Sequence, residues 1–159
     1  MELPSATQRV VAAARELGLD IDIHVFPDGT KTSQDAADAV GCELSAIAKS
    51  LVFMVDDQPV VAFLSGDTRL DTGRLAAEMG GGSARRASLE EAREHTGFAA
   101  GGTPPFGHAT EVAILADRAL QRHDDVWSAG GTPTTVFPIT LDDLVRVTGA
   151  RWVDVSQPI

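Results

Sequence analysis

The 159-residue sequence contains one cysteine and two lysines, and aromatic residues make up 5% of it. A single cysteine, Cys42, excludes an internal disulfide and a cysteine-based metal cluster. The four histidines are dispersed without the H-x-x-x-H spacing of a helical metal site, so no metal is expected. Neither a G-x-S-x-G nucleophile elbow nor a recognisable order of serine, histidine and aspartate is present, and no hydrolytic triad is predicted.

Long apolar segments are also missing. No apolar run approaches the roughly 20 residues that a membrane-spanning helix needs. The N-terminal stretch MELPSATQ lacks the basic start and the apolar stretch of a signal peptide. We therefore expect a cytoplasmic protein with no membrane partner.

Positive charge is scarce, because the formal net charge is −10 and the pI is about 4.6. Nonspecific nucleic-acid binding depends on many lysine and arginine contacts to phosphates, so a broad DNA-binding surface is not expected. The net charge does not exclude a small local site for nucleic acid. The alternative for the basic residues is a solvated face with scattered ion pairs. Five of the thirteen basic residues lie between positions 49 and 86, namely Lys49, Arg69, Arg74, Arg85 and Arg86.

The length and a hydrophobic content of 43% fit one domain, residues 1–159, with a hydrophobic core. Hydrophobic periodicity and capping signals predict helices that begin near residues 5–8, 32–35, 44, 71, 88–91 and 140–143. Strands are predicted at 21–26, in the hairpin SLVFMV/PVVAFLS, in EVAILAD, in the pair VWSAG/TTVFP and in WVDVS. Because helices interrupt the strands without regular βαβ alternation, we predict an α+β fold with a mixed, mostly antiparallel central sheet flanked by helices.

The segment LSAIAKSLVF places Lys49 directly before an apolar, strand-like run. Packing alone predicts that the lysine stem lies along apolar surface and that its head reaches water. The alternative is a lysine held in a pocket for chemistry. The neighbouring Ser50 reads as a strand residue rather than a nucleophile.

The loop AAGGTPPFGH, residues 99–108, combines glycines that allow close approach with prolines that stiffen the path. Such a loop can offer fixed backbone N–H and C=O groups to a small polar ligand, or it can be a structural turn. It is not the G-x-G-x-x-G dinucleotide fingerprint. His108, at its end, suits either a structural hydrogen bond or a proton-donating substrate contact.

The stretch SGDTRLD, residues 65–71, joins a predicted strand to a predicted helix. Asp67 or Asp71 can cap the helix N-terminus. Arg69 can pair with either carboxylate or with a phosphate.

Four segments in this order resemble the YbaK/prolyl-tRNA-synthetase-associated editing domains, from about Thr7 to Ser156. They are AKSLVF, VVAFLSGDTRLD with LAAEMG, TGFAAGGTPPFGH, and ITLDDLVRVTGARWVDVS. The resemblance implies an α+β protein that hydrolyses amino acids wrongly esterified to tRNA. It also implies that no cofactor is required.

The resemblance assigns roles to particular residues. Lys49 matches the family's functional lysine at the start of a central strand, and Gly101 to Pro105 matches its G-x-x-x-P loop. Arg69 and Arg74 are the predicted tRNA contacts. The predicted substrate-binding residues are Ser50, Gly101, Gly102, Thr103, Pro105, His108 and Gly130.

The implied function is that of a free-standing deacylase acting on the tRNA acceptor end, with tRNA for proline as the expected carrier of a small amino acid. Prolyl-tRNA synthetase is a further candidate partner. One alternative is a non-catalytic protein of the same fold that binds aminoacyl-tRNA or a synthetase. A small-molecule esterase or amidase is a third, and the absent nucleophile motif disfavours it.

Two departures from the family pattern bear on the amino acid that is cleared. Cysteine-clearing relatives carry a small polar residue where this chain has Ala129, and an aspartate near Val136. The loss of both polar groups disfavours cysteine. The loop GGTPPFGH, with Thr103 and His108, suits alanine, serine, threonine or a small non-protein amino acid.

Overall fold

The computed structural model of the protein describes residues 2–30 and 32–159. This part of the chain forms five α-helices, ten β-strands and two short 3₁₀ helices, Leu44–Ala46 and Arg118–Arg122. The α-helices are α1 (Ser5–Glu16), α2 (Ser33–Val40), α3 (Thr72–Glu78), α4 (Leu89–Thr96) and α5 (Leu141–Thr148). The strands are β1 (His24–Val25), β2 (Ala48–Val55), β3 (Gln58–Ser65), β4 (Thr68–Leu70), β5 (Ala84–Arg86), β6 (Ala113–Asp117), β7 (Asp125–Ala129), β8 (Thr135–Thr140), β9 (Arg151–Val153) and β10 (Ser156–Pro158).

The central sheet has five strands in the order β5-β2-β3-β6-β9. Strands β2 and β3 form the predicted hairpin and pair along their whole length. Asp56 and Asp57 make its turn with positive φ angles, a conformation that aspartate tolerates better than most residues. Strand β3 pairs in parallel with β6, and β6 in parallel with β9, so the sheet is mixed.

Strands β1, β8 and β7 form a second, three-stranded antiparallel sheet, and β4 pairs with β10 as a separate ribbon. Five of the seven strand pairings are antiparallel. The predicted α+β class with mixed, mostly antiparallel pairing is confirmed.

Hydrophobic side chains cover both faces of the central sheet. On one face, Phe63 of β3 belongs to a buried cluster with Val10 of α1, Leu144 of α5 and Phe137 of β8. On the other face, Phe53, Val60 and Val155 pack with Leu75 of α3. The sheet is therefore the rigid layer on which the loops and strand ends are held.

Local capping chemistry defines several helix ends. Ser88 forms the predicted capping box of α4, and Thr32, predicted as a helix start, forms a capping box for α2, each with a carboxylate three residues further on. The predicted capping box at Ser5 is wrong, because α1 has Pro4 at its N-cap and no side-chain cap there. Proline suits a helix start, since the N–H that it lacks would have had no partner within the helix.

Other sequence-based boundaries also need correction. The strand predicted at 21–26 is reduced to His24–Val25, the two residues that pair with β8. The short helix predicted from Leu44 to Ala48 ends at Ala46 as a 3₁₀ turn, because Ala48 already belongs to β2. The three-residue strands β4, β5 and β10 were not predicted, since their sequences carry no strand signal of their own. No helix in the described part of the chain has the length and apolarity to cross a membrane.

Asp117 joins the end of β6 to the C-terminal segment. Its carboxylate is 2% exposed and accepts hydrogen bonds from the backbone N–H groups of Ala119, Val155 and Ser156 and from the Ser156 hydroxyl. Each carboxylate oxygen accepts two of these four bonds, so Asp117→Asn, which replaces one oxygen by an NH₂ group, takes the acceptor from two donors. We expect a loss of about 2 kcal/mol in the free energy of unfolding, measured by urea denaturation. An unchanged midpoint and slope would contradict this assignment.

Candidate active site

A cavity of about 510 Å³ opens beside the edge of strand β2. On that edge β5 pairs with β2 only at Phe53–Val55, while Ile47, just before β2, makes a single bridge to Trp127 of β7. Strands β5 and β7 thus cover the two ends of this edge, and no other strand among residues 2–30 and 32–159 pairs with its middle. The cavity lies along this gap, and the loop after α4 and the start of α2 add further walls.

Lys49 projects from the start of β2 and lines the cavity. Its ammonium group donates a hydrogen bond to the Thr68 carbonyl oxygen. Burial lowers the pKa of Lys49 below its usual range, the positive charge of Arg86 lowers it further, and Asp67 acts in the opposite direction. Lys49 is therefore a half-buried cation held at a fixed position, not a side chain extended into water.

Asp67, the carboxylate near Lys49, is already paired. Both of its oxygens accept hydrogen bonds from the guanidinium of Arg122, at 2.7 and 3.0 Å. These bonds hold the pKa of Asp67 below its usual range. Asp71 rather than Asp67 caps helix α3, because its side chain accepts from the Arg74 backbone N–H.

Arg86 is the second cation of the cavity. Its guanidinium lies 5.6 Å from the ring centre of Phe53, and burial lowers its pKa. Among the described residues no carboxylate lies within ion-pair distance of Arg86. Its neighbour Arg85 behaves differently, because it forms a two-bond pair with Glu91 at 2.7 and 2.8 Å and does not line the cavity.

The charge of the cavity differs from that of the whole chain. The sequence carries 23 acidic residues against 13 basic ones, yet no aspartate or glutamate is among the described residues that line the cavity. Lys49 and Arg86 are the charged side chains in that lining. An acidic protein thus encloses a locally positive site, which suits a ligand with negative charge.

The loop at residues 99–108 forms one wall of the cavity. Gly101 has a φ of +89° and lines the cavity together with Thr103. A Cβ atom at Gly102 would lie 2.6 Å from the backbone of Thr132, so only glycine permits this contact. The loop is thus pressed against the segment that joins β7 to β8.

His108 supports the same loop from behind. Its Nε2 lies 2.8 Å from the Pro104 carbonyl oxygen, which accepts a hydrogen bond when Nε2 carries the proton. Burial lowers the pKa of His108, which favours the neutral ring. His108 does not line the cavity.

The structure brings some of the predicted residues together at the cavity and places others elsewhere. Lys49, Ser50, Gly101 and Thr103 line it. Gly102, Pro105, His108 and Gly130 lie outside the lining. Arg69 lies in β4, and Arg74, in α3, donates to the Ser156 carbonyl oxygen. Ala129 and Val136, the two departures from the family pattern, are cross-strand partners and both line the cavity.

The lining also contains residues that the sequence analysis did not predict as site residues, among them Arg86, Trp127 and Ser128. Arg86 appeared in the sequence analysis only as one of five basic residues between positions 49 and 86, and nothing in the local sequence separates it from Arg85, which the structure pairs with Glu91. The hydroxyls of Ser50 and Ser128 are buried without a hydrogen-bond partner among the described residues. Unpaired buried hydroxyls are costly, so they mark the wall where a ligand can supply partners.

The family model of the aminoacyl-tRNA editing domain matches residues 27–147, a range that contains Lys49, Arg86 and the 99–108 loop. The chain belongs to the aminoacyl-tRNA editing domain family. A solved structure described as a candidate trans-editing enzyme for prolyl-tRNA synthetase superposes with a TM-score of 0.93 and 39% identity, covering 98% of this chain and 99% of that one.

Two sequence relatives differ in how much of their own length aligns with this chain. The uncharacterized protein YwhH of Bacillus subtilis (strain 168) is 32% identical over 138 residues, which is 86% of this chain and 87% of YwhH. A proline–tRNA ligase of Citrifermentans bemidjiense is 29% identical over 137 residues, which is 86% of this chain but 24% of the ligase. The editing domain thus occurs both as a chain of this size and as a segment of a synthetase.

Proposed function

We propose that the protein is a free-standing deacylase that hydrolyses the ester between a small amino acid and the acceptor end of a tRNA. The positive cavity at the edge of β2 carries this proposal. An aminoacyl-tRNA end combines a phosphodiester, which cations attract, with a small acyl group, which a partly apolar pocket accepts. The cations Lys49 and Arg86 attract the phosphodiester. The acyl group contacts Gly101, Thr103 and Trp127.

The reaction needs little from the protein's own functional groups. A water molecule attacks the ester carbonyl carbon, the bond to the ribose oxygen breaks, and that oxygen takes a proton as the free amino acid leaves. The vicinal ribose hydroxyl lies beside the ester and can orient the water. The site supplies orientation and stabilises the negative charge that develops on the carbonyl oxygen.

Lys49 acts in this scheme as a fixed positive charge. Its bond to Thr68 holds the ammonium in place, so no reorganisation is needed when charge develops on the substrate. Its role is to anchor the nucleotide end and stabilise charge rather than to exchange protons with the substrate.

Ala129 and Val136 shape the acyl end of the cavity. An apolar pocket separates amino acids that differ by one methylene by only about 1–3 kcal/mol, which is why a second hydrolytic sieve is useful after aminoacylation. Arg69 and Arg74 remain proposed contacts to the tRNA outside the cavity. Prolyl-tRNA synthetase is the proposed partner, and the cytoplasm, where tRNA is charged, is the proposed location.

Arg86→Gln tests the charge of the cavity. Removing this cation is expected to raise KM for the aminoacyl-tRNA about tenfold and to reduce the salt dependence of kcat/KM, because one phosphate contact is lost. The measurement is a series of initial rates at several salt concentrations.

Arg85→Gln is the matched control for Arg86. It removes the same charge one residue earlier in β5, where Arg85 is paired with Glu91 and lowers the pKa of that carboxyl to about 2. We expect KM to change less than twofold. Equal effects of the two substitutions would show that net charge alone matters and would contradict a specific role of Arg86.

The proposed activity is tested with a panel of tRNAs for proline charged with alanine, serine, threonine, cysteine or 2-aminobutyrate. The purified chain should accelerate hydrolysis of at least one of them and should leave correctly charged prolyl-tRNA intact. Rates equal to the spontaneous rate for every member would refute the deacylase proposal.

The net charge of −10 favours a second candidate, a non-catalytic protein that binds aminoacyl-tRNA or a synthetase. An acidic chain binds tRNA weakly unless a partner adds affinity. The binder predicts that the protein forms a complex with prolyl-tRNA synthetase and protects the ester from spontaneous hydrolysis. A deacylase instead accelerates hydrolysis of the ester.

A further inference from the structure

Strand β2 directs alternate backbone groups to its two edges. The Ile47 carbonyl accepts from the Gly66 N–H on the β3 side, whereas the Val52 carbonyl accepts from the Ala87 N–H on the opposite side. In a β-strand the N–H and C=O of one residue point the same way, and neighbouring residues alternate. Ser50 therefore directs both of its backbone groups to the edge that carries Ala87.

No strand pairs with β2 at Ser50 on this edge within the described part of the chain. The ladder to β5 begins at Phe53, and the contact with β7 is the single bridge at Ile47. The cavity touches Ser50 in the interval between them. The backbone N–H and C=O of Ser50 thus face the cavity, with the spacing of a β-ladder pair.

We propose that the aminoacyl group binds at this edge in the manner of one residue of an antiparallel strand. Its α-amino group donates to the Ser50 carbonyl oxygen, and its ester carbonyl oxygen accepts from the Ser50 N–H. This is the two-bond exchange of a hydrogen-bonded antiparallel pair. The inference rests on the proposed function and adds to it the recognition element for the acyl group.

Two consequences follow for the reaction. The Ser50 N–H donates a hydrogen bond to the ester carbonyl oxygen, which becomes negative during attack. This backbone group therefore stabilises the developing oxyanion. Recognition of the α-amino group makes the protein selective for esters of α-amino acids over simple carboxylic esters. The side chain of the amino acid takes no part in these two bonds. The bonds therefore select for an α-amino acyl group, and the wall of the pocket selects for the size of its side chain.

The first test compares three esters of the same tRNA: alanyl, lactyl and propionyl. They differ only in carrying an amino group, a hydroxyl group or a hydrogen at the α-carbon. After division by each ester's spontaneous hydrolysis rate, kcat/KM for propionyl should be about 10- to 100-fold below that for alanyl, the effect of one or two lost hydrogen bonds. Lactyl, which keeps a donor, should fall between them. Equal normalised values for alanyl and propionyl would overturn the proposal.

The Ser50→Ala variant separates the contribution of the backbone from that of the hydroxyl, whose oxygen is buried and has no hydrogen-bond partner in the part of the chain that the structure describes. Alanine keeps the N–H and C=O, so the alanyl-to-propionyl ratio should persist. A ratio that collapses to one in Ser50→Ala would assign the selectivity to the side chain and overturn the backbone proposal.

The second test reads binding without hydrolysis. The probe is 3′-alanylamino-3′-deoxyadenosine 5′-phosphate, in which an amide replaces the ester, and the readout is the exchange rate of the Ser50 amide proton by NMR. Exchange should slow at least tenfold with the probe and less with its propionyl counterpart. An unchanged Ser50 amide, whether the probe binds elsewhere or not at all, overturns the proposal. Protection of Ser50 without any hydrolysis of aminoacyl-tRNA would refute the deacylase while leaving the strand-edge site standing.

Discussion

Replacing Lys49 by alanine is expected to lower kcat/KM for aminoacyl-tRNA hydrolysis by about 100- to 1000-fold. This is the scale of losing one preorganised donor to developing negative charge in an enclosed site. The ammonium group is half-buried, lines the cavity and is fixed by the Thr68 carbonyl, and Arg86 is the other cation in the lining among the described residues. Single-turnover rates with saturating enzyme separate the chemical step from binding.

Two variants serve as controls for Lys49. Arg93→Ala removes one positive charge from the exposed surface of α4, away from the cavity lining, and should keep nearly full activity. Lys49→Arg keeps the charge but not the compact ammonium, and we expect partial recovery over alanine. A Lys49→Ala protein that unfolds at the wild-type temperature and retains the full rate would exclude Lys49 from the site.

Gly102→Ala is expected to cost about 3 kcal/mol in the free energy of unfolding and at least tenfold in kcat/KM. The new Cβ would lie 2.6 Å from backbone atoms of Thr132, which cannot move aside as a flexible side chain would. The 99–108 loop must then shift, and Gly101 and Thr103 leave their positions in the cavity wall. Urea denaturation gives the stability change and steady-state kinetics the rate.

Gly82→Ala is the matched glycine control. A Cβ at Gly82 would meet only an Asp56 carboxylate oxygen at 3.9 Å, and the residue is exposed and does not line the cavity. We expect stability within about 0.5 kcal/mol of the wild type and unchanged kinetics. Similar losses in both variants would mean that the Gly102 contact has no special role.

Local sequence signals predicted the parts of the fold that local chemistry determines. Thr32 and Ser88 were recognisable as helix starts because their capping partners lie three residues away. The β2–β3 hairpin was recognisable from two β-rich runs around Asp56–Asp57. The Ser5 box failed because Ser5 is already the first residue of α1, so the N-cap position falls one residue earlier, at Pro4.

The candidate site was only partly predictable because its cavity lies along the part of the β2 edge between the residues that pair with β5 and the residue that contacts β7. Lys49 and the Gly101–Pro105 loop follow from the resemblance to the editing domains. The gap between β5 and β7 arises from how far each of two distant strands extends along β2, and neither length is encoded near Lys49. For the same reason Arg86 could not be distinguished from Arg85, since their different surroundings come from β2 and α4.

The deacylase activity is tested most directly by hydrolysis with the purified chain alone, with no synthetase present. Purified protein is mixed with tRNA for proline carrying a wrong small amino acid, and the released amino acid is followed over time. We expect release well above the spontaneous rate with the wild type and with Arg85→Gln, and release near the spontaneous rate with Lys49→Ala. Release that Lys49→Ala catalyses as well as the wild type, or no acceleration by the wild type with any small amino acid, would contradict this expectation.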